Sequence, residues 1–248
     1  PIETEVTLYK GCERIDFKVE IENRAENHVI TAKFPTDFIN PVDYSHVSFD
    51  EVERDNRLFD FDKDLRSTQS FLKPMQYYAG IKGEDGALNV IARGIYEYQT
   101  KPSEKGLDLY LTLLKSTSYM FRDIPISWQS GQHSTTPIIS TEDSKELGKS
   151  TFYYSLYFGR EKLSELSQQY IYPLRSFDVR KDTKGTGEKL KLQSFIHIDN
   201  SDIVLTAVKK HEYSEGIVLR LCNSRKEACD ANISLGFSCS KGYYADLL

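Results

Sequence analysis

A long polar segment, residues 116–148, carries most of the side chains that could meet a ligand. It contains eleven serine or threonine residues and the only tryptophan of the chain. A connection of this length without regular structure is uncommon in a compact domain unless it is functional or disordered. Its candidate ligand contacts are Arg122, Asp123, Trp128 and His133.

Each of these side chains has a binding interpretation and a structural one. Trp128 could stack on a sugar ring, or it could plug the loop onto the core. Arg122 could aim its guanidinium at a ligand hydroxyl, or it could tie down the loop together with Asp123. His133 could donate to a sugar, or it could be an ordinary surface histidine.

A second candidate is the pair His197 and Asp199, which occupies alternate positions of an expected strand. Alternate strand residues share a face, and a histidine with a carboxylate can bind zinc. No third ligand stands nearby, so a structural pair is the favoured interpretation. The chain also lacks the sequence motifs of phosphate-binding loops, zinc proteases, serine hydrolases and calcium loops. We therefore assign no catalytic residue and no metal site within this chain.

The composition is that of an ordinary soluble globular protein. Of 248 residues, 39% are apolar and 28% are charged, and the net charge of -5 comes from interspersed signs. This excludes a membrane protein and a disordered tail, and it predicts neither nucleic-acid nor membrane partners. A chain of this size buries roughly 70–75% of its unfolded surface, so stability requires no cofactor.

The cysteine count and the first residue suggest where the protein works. Four cysteines are too few and too irregular for a disulfide scaffold, so we expect reduced thiols and a cytoplasmic protein, with a hairpin bridge between Cys222 and Cys229 as the alternative. The chain begins at Pro1 without a secretory signal, and we expect it to be a piece of a longer polypeptide.

The elements that must position these side chains are strands. Over residues 14–22, apolar and charged residues alternate strictly, which predicts a half-buried strand. Many further short strands are expected, including one over residues 47–52, and the predicted fold is an all-β, large antiparallel sandwich. One short helix is predicted over residues 160–170, where Leu163, Leu166 and Tyr170 share a face.

An ordered series of phrases resembles the C-terminal β domain of glycoside hydrolase family 38, the α-mannosidases. Residues 94–99 (GIYEYQ) resemble the family segment G-L-x-E-Y-E, and residues 111–116 (LTLLKS) resemble L-T-L-L-R-S. The other similar phrases are residues 6–11, 14–18, 22–26, 32–36, 151–157, 204–210 and 216–223. Together they span nearly the whole chain in family order.

The resemblance implies a galactose-mutarotase-like supersandwich and a single C-terminal domain over residues 1–248. The parent protein would be a retaining exo-α-mannosidase whose N-terminal α/β barrel, absent from this chain, holds the nucleophile and a divalent metal, normally zinc. The loop after Leu114 would reach the active-site rim, with Tyr119, Arg122, Asp123, Trp128 and His133 as substrate contacts.

The resemblance predicts a support role rather than catalysis for this segment. Its partners would be a mannose-containing oligosaccharide and the catalytic domain of the same polypeptide, and the segment alone would be inactive. A broad apolar patch on one sandwich face would mark the contact with the barrel. A stand-alone carbohydrate-binding sandwich without catalysis and a structural spacer remain as alternatives.

Overall fold

The computed structural model describes residues 1–48, 50–54, 72–120, 139–176, 194–224 and 227–245. The chain divides into two compact units, Pro1–Leu163 and Ser164–Leu248. The elements are β1 (Ile2–Leu8), β2 (Arg14–Asn23), β3 (Val29–Phe34), β4 (Val42–Val47), β5 (Asp50–Arg54), β6 (Leu72–Pro74), β7 (Tyr78–Lys82), β8 (Ala87–Arg93), β9 (Glu97–Pro102), β10 (Leu107–Lys115), β11 (Tyr119–Met120), β12 (Ile139–Ser140), a 3-10 helix (Glu142–Lys145), β13 (Gly148–Phe158), α1 (Leu163–Ile171), β14 (Ile196–Ile198), β15 (Ile203–Lys210), β16 (Ile217–Asn223) and β17 (Ile233–Leu235).

The first unit contains a seven-stranded sheet in the order β1-β2-β13-β8-β7-β4-β5 and a four-stranded sheet in the order β3-β10-β9-β6. The pairings are antiparallel, as between Val19 of β2 and Phe152 of β13. The alternation in β2 acts as predicted, because Val19 and Ile21 are buried whereas Glu20 between them is exposed.

The core of the first unit joins these two sheets. Its buried apolar side chains come from β2, β7, β8 and β13 on one side and from β9 and β10 on the other. In β10 every second residue from Leu107 to Leu113 belongs to this core, as the two-residue period of a strand requires. The predicted all-β antiparallel sandwich with one α-helix is confirmed for the described part of the chain.

The part of the second unit that forms strands has little buried surface. It pairs β14 with β17 and β15 with β16. Among its described residues from 194 to 245, none is fully buried. The prediction of one domain over residues 1–248 stays a prediction.

Two element boundaries differ from the sequence prediction. The helix begins at Leu163 rather than at residue 160, because Gly159 and Lys162 have φ of 134° and 59°, which an α-helix does not accept. The strand predicted over residues 47–52 is divided between two elements, because β4 ends at Val47 and β5, which pairs with β4 in antiparallel fashion, begins at Asp50.

Candidate functional site

The polar loop of residues 116–148 starts and ends in the first unit, and the structure describes both of its ends. Tyr119 lies in β11, where it pairs with Ser140 of β12, and its side chain is 54% exposed. Arg122, Asp123, Trp128 and His133 lie outside the described residues. Their role as substrate contacts therefore stays a prediction.

The outgoing end of the loop is fastened to the turn between β2 and β3. Ser118 is 2% exposed, and its hydroxyl donates to Glu26 Oε2 at 2.8 Å while its backbone N–H donates to Asn27 Oδ1 at 3.0 Å. The hydrogen bond from Ser118, and then the ammonium of Lys145, lower the pKa of Glu26. The carboxylate thus stays ionised and holds the loop end at neutral pH.

The returning end of the loop is fastened to the same place. Asn23, 5% exposed, donates from Nδ2 to the carbonyl of Glu146 at 2.9 Å, and Ser116 donates to the carbonyl of Lys145 at 2.7 Å. Lys145 Nζ also contacts Glu26 Oε1 at 3.2 Å and Glu142 Oε2 at 2.7 Å. These contacts raise the pKa of Lys145, led by the hydrogen bond that its ammonium donates to Glu142. Both ends of the loop are therefore held by specific polar contacts.

A groove of about 690 Å³ borders these two ends. Its volume falls in the range of about 300–1,000 Å³ that is usual for ligand pockets. The lining residues are Gly94, Ile95, Tyr96, Glu97, Thr112, Leu113, Leu114, Lys115, Glu146, Ser150, Thr151 and Phe152. Lys115 directly precedes the loop, and Glu146 lies near its end.

Two strands bring the polar groups of the groove together. β9 and β10 pair with Leu111 opposite Tyr98, so that Glu97 and Thr112 continue the same antiparallel register. The pairing of β10 with β3 shifts after Thr112, and Leu113 is the extra residue of a β-bulge. The bulge changes the alternation, and Lys115 Nζ lies 3.8 Å from Glu97 Oε2.

Sequence reasoning missed this groove, although it singled out both of the segments that form much of the groove wall. The two segments that form much of its wall, residues 94–97 and 112–115, belong to the phrases GIYEYQ and LTLLKS. Each phrase resembles a family motif, but nothing in either phrase shows that they meet. Their contact depends on the pairing of β9 with β10.

A second polar cluster lies between the two sheets of the first unit. Asp43 is fully buried and accepts from Lys73 Nζ at 2.8 Å and from the Tyr98 hydroxyl at 2.7 Å. Lys73 Nζ also donates to Thr100 Oγ1 at 2.8 Å. Burial lowers the pKa of Lys73 and raises that of Tyr98, and Asp43 opposes the shift at Lys73. Because these groups form hydrogen bonds with one another, the cluster connects the two sheets. A ligand would have to break these hydrogen bonds in order to bind here.

The described residues provide no zinc site. No group of three or more histidine, cysteine, aspartate or glutamate side chains in that part of the chain could hold a metal ion. Asp199, the possible zinc ligand beside His197, accepts from the backbone N–H and from Nδ2 of Asn232 at 2.7 and 2.6 Å. The Asn232 hydrogen bonds lower the pKa of Asp199. The Asp199 carboxylate therefore joins its own segment of the chain to the segment that contains Asn232.

Comparisons with known proteins agree with the fold. The model of the glycosyl hydrolases family 38 C-terminal domain matches residues 1–125, and that of the family 38 C-terminal beta sandwich domain matches residues 202–248. No curated protein matches the chain. Among the described residues, no helix is both long and apolar enough to cross a bilayer.

Two solved structures share the architecture. An alpha-mannosidase from Enterococcus faecalis V583 matches with a TM-score of 0.74 and 18% identity over 94% of this chain and 24% of that one. A glycosyl hydrolase family 38 protein from Enterococcus faecalis matches with a TM-score of 0.70 and 18% identity, over 94% of this chain and 25% of that one. This chain thus spans about a quarter of their length, and at this identity the likeness concerns the fold. Because the first family model covers half of the sequence, the chain belongs to glycosyl hydrolase family 38, in the region of its C-terminal domain.

Proposed function

We propose that this chain is the C-terminal part of a cytoplasmic, metal-dependent, retaining α-mannosidase that hydrolyses terminal α-mannosidic bonds in oligosaccharides. The match to the family model supports this proposal. A retaining glycosidase needs two carboxyl groups about 5–5.5 Å apart around the scissile bond. In this proposal, an N-terminal catalytic domain of the same polypeptide holds those groups and the divalent metal, normally zinc. The chain by itself is inactive.

The apolar face of β1 is the observation that best supports a missing partner domain. β1 pairs with β2 so that Ile2, Val6 and Leu8 lie opposite Ile21, Phe17 and Ile15. Opposite residues of paired strands share a face, and on this face Ile21 is buried in the core. Yet Ile2, Val6 and Leu8 are 58%, 55% and 72% exposed.

An apolar stripe that continues the core face of a sheet but remains open to solvent is typical of an interaction surface. We assign it to the contact with the catalytic domain. The second unit adds to this argument, because its described strands also leave large apolar side chains exposed, such as Val208 at 53% and Ile217 at 54%.

The long loop gives the chain a second task, which is to lend side chains to the rim of the substrate pocket. The contacts of Ser116, Ser118 and Asn23 hold the two ends of this loop. Side chains carried on such a loop can position a sugar, and positioning lowers the barrier of the reaction. We propose Tyr119, Arg122, Asp123, Trp128 and His133 for this role.

The decisive experiment uses the complete polypeptide and an aryl α-mannoside. We expect hydrolysis by the complete polypeptide, loss of hydrolysis with a chelator, and no hydrolysis by the 248-residue chain alone. Hydrolysis by the 248-residue chain, or hydrolysis by the complete polypeptide that resists chelation, would contradict the proposal.

The docking surface is tested with Val6→Lys in the complete polypeptide and Thr7→Lys as its control. Val6 lies on the apolar face, whereas Thr7 lies opposite Asp16 on the other face. Burying a valine contributes about 1.5–3 kcal/mol, so Val6→Lys should lower the melting temperature and the activity while Thr7→Lys leaves both unchanged. Equal effects of the two variants would show that the apolar face of β1 does not contact the catalytic domain.

One alternative is favoured by a specific observation, the groove beside the loop ends. A stand-alone carbohydrate-binding sandwich would use such a groove without any catalytic partner. It predicts that the complete polypeptide binds mannosides but does not hydrolyse them.

A further inference from the structure

Two residues that line the groove each carry a buried polar atom that nothing in the described part of the chain satisfies. These are Glu97 Oε1 and Thr112 Oγ1, both without a hydrogen-bond partner among the described residues. Thr112 as a whole is only 8% exposed. The two residues lie on neighbouring strands, so the groove wall has one carboxylate oxygen and one hydroxyl that no described residue satisfies.

Unsatisfied polar groups of this kind are costly, because each has lost its contact with water and gained none in return. Most buried polar side chains in a folded protein have a partner, so an exception calls for an explanation. A ligand that carries hydroxyl groups can satisfy both atoms. It can donate to the carboxylate oxygen and accept from the threonine hydroxyl, since a hydroxyl is both donor and acceptor.

The charges of the groove select the class of ligand. Lys115 Nζ lies 3.8 Å from Glu97 Oε2, so the carboxylate already has a cation beside it. A cationic ligand would be repelled by Lys115, and an anionic one by Glu97 and Glu146. A neutral molecule that both donates and accepts hydrogen bonds fits this balance, and a saccharide is such a molecule.

The rest of the lining also suits a sugar ring. Tyr96 is 66% exposed and offers an aromatic surface at the groove, and aromatic side chains combine large contact area with a polar tip. Ser150 and Thr151 add hydroxyl groups. The side chains of Glu97 and Lys115 are 32% and 49% exposed, so both can change rotamer to admit a hydroxyl to the groove wall.

We propose that this groove binds a mannose-type saccharide, with Glu97 and Thr112 as its hydrogen-bonding residues and Tyr96 as its stacking surface. The identity of the sugar rests on the proposed function, whereas the existence of the site does not. The site requires only residues of the first unit, and it contains none of the proposed rim residues.

The experiment is an NMR titration of the 248-residue chain with methyl α-mannopyranoside, followed on the methyl signals of Leu113 and Leu114. Both residues line the groove. We expect saturable shifts at these signals. Thr112→Val should weaken binding by about fivefold and Glu97→Gln by about tenfold, as losses of a neutral and of a charged hydrogen bond do.

Thr31→Val is the matched control for the threonine. Thr31 lies directly opposite Thr112 in β3 but does not line the groove. It has the same side chain in the same sheet, so a general effect on the sheet would appear in both variants. Binding by Thr31→Val should equal that of the unsubstituted chain.

Three outcomes would overturn the proposal. The first is the absence of saturable shifts up to the solubility limit of the sugar. The second is equal weakening by Thr112→Val and Thr31→Val. The third is saturation of the same signals by N-acetylarginine methyl ester but not by the mannoside, which would make the groove a receptor for a cationic side chain.

These outcomes are separable from a failure of the proposed function. Binding in the groove together with an inactive complete polypeptide would refute the mannosidase and keep the site. An active complete polypeptide whose 248-residue part shows no binding would refute the site and keep the mannosidase.

Discussion

The buried ion pair of Lys73 and Asp43 predicts that removal of the Lys73 charge strongly lowers the free energy of unfolding. Lys73 Nζ lies 2.8 Å from Asp43 Oδ1, and the two side chains are 13% and 0% exposed. In Lys73→Met, a flexible unbranched side chain of similar length replaces the cation, so packing is largely kept. The Asp43 carboxylate then loses the cation that compensates its charge. Breaking a buried ion pair in this way costs about 3–5 kcal/mol, a large share of the total stability of a typical domain, which is about 5–15 kcal/mol.

The assay is chemical denaturation of the 248-residue chain and of three variants. Lys73→Met should lose about 3–5 kcal/mol in the free energy of unfolding. The double variant Asp43→Asn/Lys73→Met should be more stable than Lys73→Met, because the second substitution removes a buried charge that has lost its contact with Lys73. Lys18→Met is the control, since Lys18 pairs with Glu20 at 2.7 Å on the surface, and it should leave stability nearly unchanged. If the double variant is no more stable than Lys73→Met, Lys73 does not compensate Asp43 and the reasoning is refuted.

Three further predictions concern single residues of the first unit. Burial lowers the pKa of His46, which stacks on Tyr77. The unfolded state therefore binds a proton at His46 more tightly than the folded state does. The free energy of unfolding should fall as the pH drops below about 6.5, by at most about 1.4 kcal/mol per pH unit. The variant His46→Phe should lack this slope in parallel denaturation series, and an unchanged slope would exclude His46 as its origin. Gly80→Ala would place a Cβ 2.9 Å from the carbonyl oxygen of Leu88, so thermal unfolding should show a loss of about 1–3 kcal/mol, and an unchanged melting temperature would show that the strand can shift. Asn23→Ala removes the hydrogen bond to the Glu146 carbonyl and should speed amide exchange at the loop ends, whereas unchanged exchange would show that the other contacts suffice.

The sandwich could be predicted because its strands follow the two-residue period closely. In β2 the buried Val19 and Ile21 are separated by the exposed Glu20, which is the pattern that the sequence shows. The hairpin of β4 and β5 was missed for a physical reason. Residues 47–52 contain no glycine, asparagine or proline, and Ser48 marks a turn more weakly than these residues do.

The candidate site was harder to predict than the sheets. Alternation places Thr112 and Glu97 on strands, but it gives no information about which strands become neighbours. The position of Lys115 beside Glu97 also depends on the bulge at Leu113. A bulge adds one residue to one strand, and the pattern of apolar residues across LTLLKS does not reveal it.

The two polar clusters of the first unit differ in whether folding satisfies their hydrogen-bonding groups. Around Asp43, the carboxylate meets Lys73 and Tyr98 at 2.8 and 2.7 Å, so folding itself satisfies these groups and a ligand would have to break bonds to enter. Around Glu97 and Thr112, one carboxylate oxygen and one hydroxyl have no hydrogen-bond partner among the described residues. The free energy that their desolvation costs is recovered only when a molecule from outside donates to the carboxylate and accepts from the hydroxyl. Binding should therefore stabilise the first unit, and Thr112→Val should reduce that ligand-induced stabilisation. The unliganded stability should stay equal or rise, because the substitution removes a buried hydroxyl that no described residue satisfies. A fall in unliganded stability on Thr112→Val would show that the hydroxyl is satisfied within the fold, and the case for a ligand in this groove would fail with it.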